Sequence, residues 1–282
     1  MLKNSRIAPA KINLSLRVLG KRSDGFHEIE SLMVPLSSAD LGDTLFFEPA
    51  ENYRLLCDAP GVPLDETNLI TMAVRKFEQS LGRSCHWEIT LEKKIPHGAG
   101  LGGGSSDAAT TLLALNELEE GGFSNRQLAE MGASFGSDVP FFIYQQACTV
   151  KGRGELVEPV DGLDISGQAL LLLKPTFGVS TPDAYSHCLD ADELSGVAYT
   201  SQKMPWGEIV NDLEKPVFYK HRFLAEMKLW LLDQAEVEAA MMSGSGSTMM
   251  AFLPDSECAH DLLVRARQEL DPSLWGCSVS IV

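Results

Sequence analysis

The residues Gly98, Ala99, Gly100, Leu101, Gly102, Gly103, Gly104, Ser105 and Ser106 stand between two regular patterns. Before them, HWEITLEKK at 86–94 alternates apolar and polar side chains, the period of a strand with one buried face. After them, Leu112, Leu113, Leu115 and Leu118 share the apolar side of a long helix that begins at Ser105 or Ser106 and stops at Gly121 and Gly122. Five glycines in nine residues cost backbone entropy that an ordinary strand-to-helix turn has no need to lose. A glycine turn at a helix N-terminus lets backbone N–H groups approach an anion unobstructed, and the helix adds partial positive charge. Two serines at the same end can donate further hydrogen bonds. Phosphate is the guest that suits such a loop.

Two familiar phosphate loops fit poorly. A Walker A loop needs Gly-Lys-[Ser/Thr], but Gly104 is followed directly by Ser105. Gly98, Gly100 and Gly103 do match the dinucleotide spacing, with Glu117 and Glu119 about 20 residues on. Those acids, however, sit on the tail of the same helix rather than after a second strand. The charged, alternating 86–94 segment is also unlike a buried parallel strand.

The rest of the chain bounds the alternatives. Its 282 residues suit one large domain or two of moderate size. A net charge of −16 and a pI near 4.7 argue against nucleic acid or an anionic membrane as partner, since both require basic surface. The longest apolar run, 169–173, is too short to span a bilayer, and MLKNSRIAPAKINLSL has no secretory pattern. A cytoplasmic protein is expected, monomeric or weakly dimeric. Cys57, Cys85, Cys148, Cys188, Cys258 and Cys277 form no CxxC and read as reduced thiols; no HExxH and no structural metal site is expected.

Periodicity predicts strands at 12–18, 30–36 and 43–47, a helix at 68–81 closed by Gly82, and a short helix at 125–131 capped by Ser124. Strands follow at 139–144, 148–151 and 156–160. The polar, turn-rich segment 161–167 is the candidate boundary between domains 1–160 and 161–282. Beyond it, a buried strand is expected at 169–173, then a helix near 182–188. A helical stretch follows from about 206 to 233, interrupted near Pro216. A strand after Ser247, a helix at 257–270 and a strand at 277–282 complete a mixed α+β unit.

The stretch PHGAGLGGGSS closely resembles the ATP loop of the GHMP kinases, the superfamily of galacto-, homoserine, mevalonate and phosphomevalonate kinases. APAKINL at 8–14, DGFHEIESL at 24–32, GSDVPFF at 136–142, KGRGE at 151–155 and MSGSGST at 242–248 are similar, in family order, to one family within it: the 4-diphosphocytidyl-2-C-methyl-D-erythritol kinases. The resemblance implies a two-domain α+β GHMP kinase fold with its active site in the interdomain cleft. It implies phosphoryl transfer from ATP, with Mg²⁺, to the 2-hydroxyl of 4-diphosphocytidyl-2-C-methyl-D-erythritol, a step of the non-mevalonate isoprenoid pathway.

The same resemblance implies residue roles. Asp138 falls on the family's catalytic aspartate; alone, it reads equally as a turn or N-cap residue. Lys11 falls on the catalytic lysine, and otherwise snorkels from a strand end. Asn13, two residues on, shares its face and becomes a substrate contact. His27 falls on the cytosine-reading histidine, with Phe26 in place of a tyrosine seen in some members. Tyr185 falls where an aromatic stacks on cytosine, with core packing as the alternative. Thr181, Gly244 and Ser245 join the substrate side. ATP falls to Pro96, His97 and the glycines and serines through Ser106, with Asn68 and Lys93 bordering adenine; within this set His97 is only a spacer. No protein metal ligand is assigned. Lys11, Lys21, Arg22, Lys93, Lys94, Lys151 and Arg153 are expected around one cleft. The nearest rival is another GHMP kinase with a different small alcohol substrate, against which His27 in DGFHEIESL argues. A rival of another class is a non-catalytic nucleotide-binding protein of the same fold, which has no need of Lys11 and Asp138.

Overall fold

The computed structural model describes residues 4–282. The first half runs β1 (Asn4–Pro9), β2 (Lys11–Lys21), β3 (His27–Pro35), β4 (Gly42–Pro49), β5 (Arg54–Cys57), α1 (Leu69–Leu81), β6 (Trp87–Glu92), α2 (Gly103–Leu118), α3 (Asn125–Ala133), α4 (Val139–Tyr144), β7 (Cys148–Gly152) and β8 (Leu156–Pro159). The second runs β9 (Ala169–Lys174), α5 (Thr181–Ser186), β10 (Gln202–Met204), β11 (Gly207–Asn211), α6 (Glu214–Lys220), α7 (Arg222–Leu232), β12 (Ala239–Met242), β13 (Met249–Leu253), α8 (Ala259–Glu269) and β14 (Trp275–Ser280).

Three sheets organise these elements, in the orders β1-β4-β6-β5, β10-β11-β2-β3-β7-β8 and β12-β13-β9-β14. The middle sheet contains strands from both halves of the chain. β11 pairs parallel with β2, setting Val210 opposite Ser15 and Asn211 opposite Leu16. Ile12, Leu14, Val34 and Leu36 pack with Leu170, Leu172, Met250 and Phe252 in a shared core. A second core packs Ile70, Val74 and Phe77 of α1 and Leu112 and Leu115 of α2 on Leu45, Phe47, Ile89 and Leu91. A third gathers α6, α7 and α8 on β9, β12 and β13.

Local chemistry explains the elements that flank the loop. Asn68 caps α1 by accepting a hydrogen bond from Ile70 N at 2.8 Å, and Gly82 closes the helix in the left-handed conformation. Ser124 and Gln127 form a capping box at α3. α2 starts at Gly103, ahead of both serines, because left-handed Gly102 (φ 72°) turns the chain into it.

Three expectations are corrected. Residues 139–144 form a helix, not a strand: Pro140 sits in the first turn, where a missing N–H is tolerated, and the aromatic run is buried without any period to report. The stretch from 206 opens with β11 rather than a helix, because 207–211 fits into the middle sheet between β10 and β2. The following helices break at His221, not at Pro216, which is tolerated in the first turn of α6. β5 and β12 had no signal, each being a four-residue strand.

Candidate active site

A cavity of about 420 Å³ lies where both halves meet. Pro96, His97, Gly98, Ala99, Gly100, Leu101, Gly102, Gly103, Gly104 and Ser105 all line it. Gly98, Gly100 and Gly102 hold positive φ values of 62°, 74° and 72°. The first turn of α2 then presents N–H groups that have no intrahelical acceptor. Ser106 is fully buried and does not line the cavity.

The second glycine turn closes the opposite side. Gly100 and Ser243 touch backbone to backbone: a Cβ on Gly100 would lie 2.1 Å from the Ser243 carbonyl oxygen. Ser243 Oγ donates to Gly100 O at 3.1 Å, and Thr248 N to Ala99 O at 3.3 Å. Gly244 and Ser245 line the cavity, and Ser245 Oγ bonds Thr181 Oγ1 at 2.9 Å.

On β2, Lys11 Nζ donates to Asn13 Oδ1 at 2.8 Å and stands 3.5 Å from Asp138 Oδ2. Asn13 Nδ2 donates to Ser31 Oγ, which in turn donates to Ser15 O, so the amide's orientation is fixed. Lys11 and Asn13 are both buried. Asp138 occupies the N-cap position of α4, yet its side chain makes no capping bond. The carboxylate faces the cavity and the Lys11 ammonium.

Tyr185 lines the cavity from α5 and stacks on His27 with ring centroids 5.6 Å apart and planes 25° apart. Burial pushes its phenol up, and the Asp138 carboxylate adds to that. Phe26 and His27 are not among the residues lining the cavity. Phe26 is half exposed and carries the Arg153 guanidinium 5.1 Å from its ring centre.

Asn68 and Lys93 line the cavity, but both are committed. Asn68 also donates to Pro63 O at 2.6 Å. Lys93 bridges Asp43 and Asp107, the latter at 2.8 Å. Burial pulls the Lys93 ammonium down, and the two carboxylates outweigh it and hold it above its ordinary value. Burial pushes the Asp107 carboxyl up to about 7, opposed by Lys93 and reinforced by Asp43. Asp43 and Asp107 went unread in the sequence. Asp107 directly follows the two serines, and Asp43 gives no signal at the first turn-to-strand step. The expected ring of cations is also corrected: of the seven, only Lys11 and Lys93 line the cavity. Arg22 and Lys151 instead pair with carboxylates on β3, where the strand register carries them away from the loop.

Residues 68–146 match the family described as the GHMP kinases N terminal domain. The 4-diphosphocytidyl-2-C-methyl-D-erythritol kinase of Methylacidiphilum infernorum is 38% identical over 272 residues, covering 95% of this chain and 93% of that one. The chloroplastic enzyme of that name from Arabidopsis thaliana is 39% identical over 260 residues, covering 87% of this chain and 66% of its own. The chain belongs to the 4-diphosphocytidyl-2-C-methyl-D-erythritol kinase family. A crystal structure titled 4-(cytidine 5'-diphospho)-2C-methyl-D-erythritol kinase superposes with a TM-score of 0.75 at 30% identity, over 98% of this chain and 99% of that one. A homoserine kinase from Cytophaga hutchinsonii shares the fold at 18% identity, with a TM-score of 0.68 over 100% of this chain and 96% of its own. The architecture is thus the two-domain α+β arrangement of the GHMP kinases. Among the described residues, no helix is long and apolar enough to cross a membrane.

Proposed function

We propose that this protein transfers the γ-phosphoryl group of ATP to the 2-hydroxyl of 4-diphosphocytidyl-2-C-methyl-D-erythritol, in the non-mevalonate route to isoprenoid precursors. The observation that carries the reading is the Lys11–Asp138 pair facing the same cavity as the glycine loop. A nucleotide-binding protein needs the loop alone; a kinase also needs a base beside it. In this reading residues 1–160 supply the loop, Lys11 and Asp138, and residues 161–282 supply α5 and the second glycine turn. The division falls in the polar segment before β9.

The loop N–H groups and the α2 N-terminus hold the phosphates. Asp138 accepts the hydroxyl proton as the new oxygen–phosphorus bond forms and the bond to ADP breaks. Lys11, oriented by Asn13, steers the hydroxyl and offsets charge on the transferring group. The His27–Tyr185 stack and Thr181 form the cytidine side. Mg²⁺ would neutralise the triphosphate; Ser105, at the cavity, offers a hydroxyl suited to it, and phosphate and water oxygens supply the rest. The protein acts on a small molecule in the cytoplasm, as a monomer or weak dimer; its six free cysteines fit a reducing compartment.

The test is ADP release from ATP and Mg²⁺, with and without this alcohol, for wild type and Asp138→Asn. We expect release that depends on the alcohol and falls about 10²–10⁴-fold in the variant. Release with homoserine or a mevalonate-type alcohol instead would overturn the substrate. ATP binding with no release on any alcohol would favour the binding-protein reading.

A further inference from the structure

The two walls of the cavity are joined by one short segment that the proposed reaction does not use. Asn211 ends β11, and its side-chain amide spends both hydrogens on the second glycine turn: Nδ2 donates to Met242 O at 2.8 Å and to Gly244 O at 2.7 Å. Its Oδ1 accepts from Leu213 N at 3.0 Å, so the side chain is satisfied at every polar atom and is itself buried. Glu214, three residues on, takes the remaining backbone group of Met242, accepting from its N–H at 2.9 Å. Lys228 holds Glu214 in turn at 2.5 Å.

The adjacent residue ties the same segment to the opposite wall. Asp212 N donates to Leu16 O at 2.9 Å, and Asp212 Oδ2 accepts from Val18 N at 2.9 Å. Both acceptor and donor lie on β2, the strand that carries Lys11 and Asn13. Two consecutive residues therefore set the gap between β2 and the turn. That gap is narrow: a Cβ on Gly244 would stand 3.4 Å from Lys11 Nζ and 3.3 Å from Asn13 Oδ1.

We propose that Asn211 is a positioning residue for phosphoryl transfer, fixing the Gly244–Ser245 wall of the cavity against the Lys11–Asn13 wall. The inference rests on the kinase reading above. Asn211 touches neither the glycine loop nor Asp138 in any hydrogen bond, so it acts through the turn. In-line transfer is sensitive to the placement of the accepting hydroxyl, and a shift of about 1 Å can cost on the order of a hundredfold in rate.

Asn211→Asp keeps the shape and the acceptor for Leu213 N, but an ionised carboxylate offers the Met242 and Gly244 carbonyls no hydrogen. We expect the variant to unfold cooperatively, with the KM for ATP within about threefold of wild type and kcat lowered about 10–100-fold. Backbone amide exchange should quicken at 243–247 while β9 and β13 stay protected. An unchanged kcat would overturn the proposal. So would a loss that follows the fraction of folded protein, with exchange faster throughout. Should Asn211→Asp fail to fold, Asn211→Ser, which retains one donor, is read for the same split. A wild type silent on this alcohol overturns the substrate rather than the positioning role. Amide exchange then decides that role, and unaltered protection at 243–247 in the variant overturns it.

Discussion

At the scale of single residues, Lys93 matters for what it neutralises. Its ammonium sits between Asp43 and Asp107, whose side chains are 0% and 3% exposed. Lys93→Met would leave two buried carboxyls without their cation, and we expect a loss of about 3–5 kcal/mol in urea unfolding. The same cluster gives a pH dependence. Asp107 titrates near 7 in the folded protein against an ordinary value of 3.8. The folded state therefore holds more protons between those values, and stability falls as pH rises from about 4 to about 7. Glu214, raised by its own burial, adds to that slope. Asp107→Asn should flatten the dependence of Tm on pH across this window without abolishing it. Lys11 and Asp138 were legible because their motifs resemble a family's, and Asn13 because strand period puts it on the face of Lys11. Asp43 was not legible, since its partner lies 50 residues away.

At the scale of elements, the two glycine turns act as one structure. Gly100 is forced by both its φ of 74° and its contact with Ser243. Gly100→Ala would cost about 1–2 kcal/mol from backbone conformation alone, before the turns are pushed apart. We expect a raised KM for ATP together with lower resistance to urea, measured on the same preparation. Periodicity located α1, α3 and the strand before the loop because each keeps one polar face. It misread 139–144 because VPFFI is buried all round, and a side chain surrounded by core carries no period. It misread 207–211 because a short strand held between β10 and β2 is decided by what lies beside it.

At the scale of the molecule, the charge of −16 is spread over a surface whose cavity holds only two lysines, both paired. Self-repulsion of this kind is screened by salt. Raising sodium chloride from about 10 to about 200 mM should raise Tm by about 1–3 °C in calorimetry. A Tm that falls instead would mean that attractive pairs, not net repulsion, dominate the surface. The middle sheet ties the halves together: β11 of the second half pairs with β2 of the first, and one core spans both.

The sequence by itself determined the local features: the loop of five glycines, the caps at Asn68 and Ser124, and the family to which the motifs belong. These depend on neighbours within a few residues, where backbone freedom, capping and side-chain period are set. Only the tertiary structure decided which charges meet. It brought Lys11 to Asp138, locked Lys93 between two acids, turned Lys21, Arg22, Lys151 and Arg153 away from the cavity lining, and bound Asn211 to the second glycine turn. Those contacts span tens to hundreds of residues. Burial and hydrogen bonding across such distances follow from how strands pair, which no local pattern encodes.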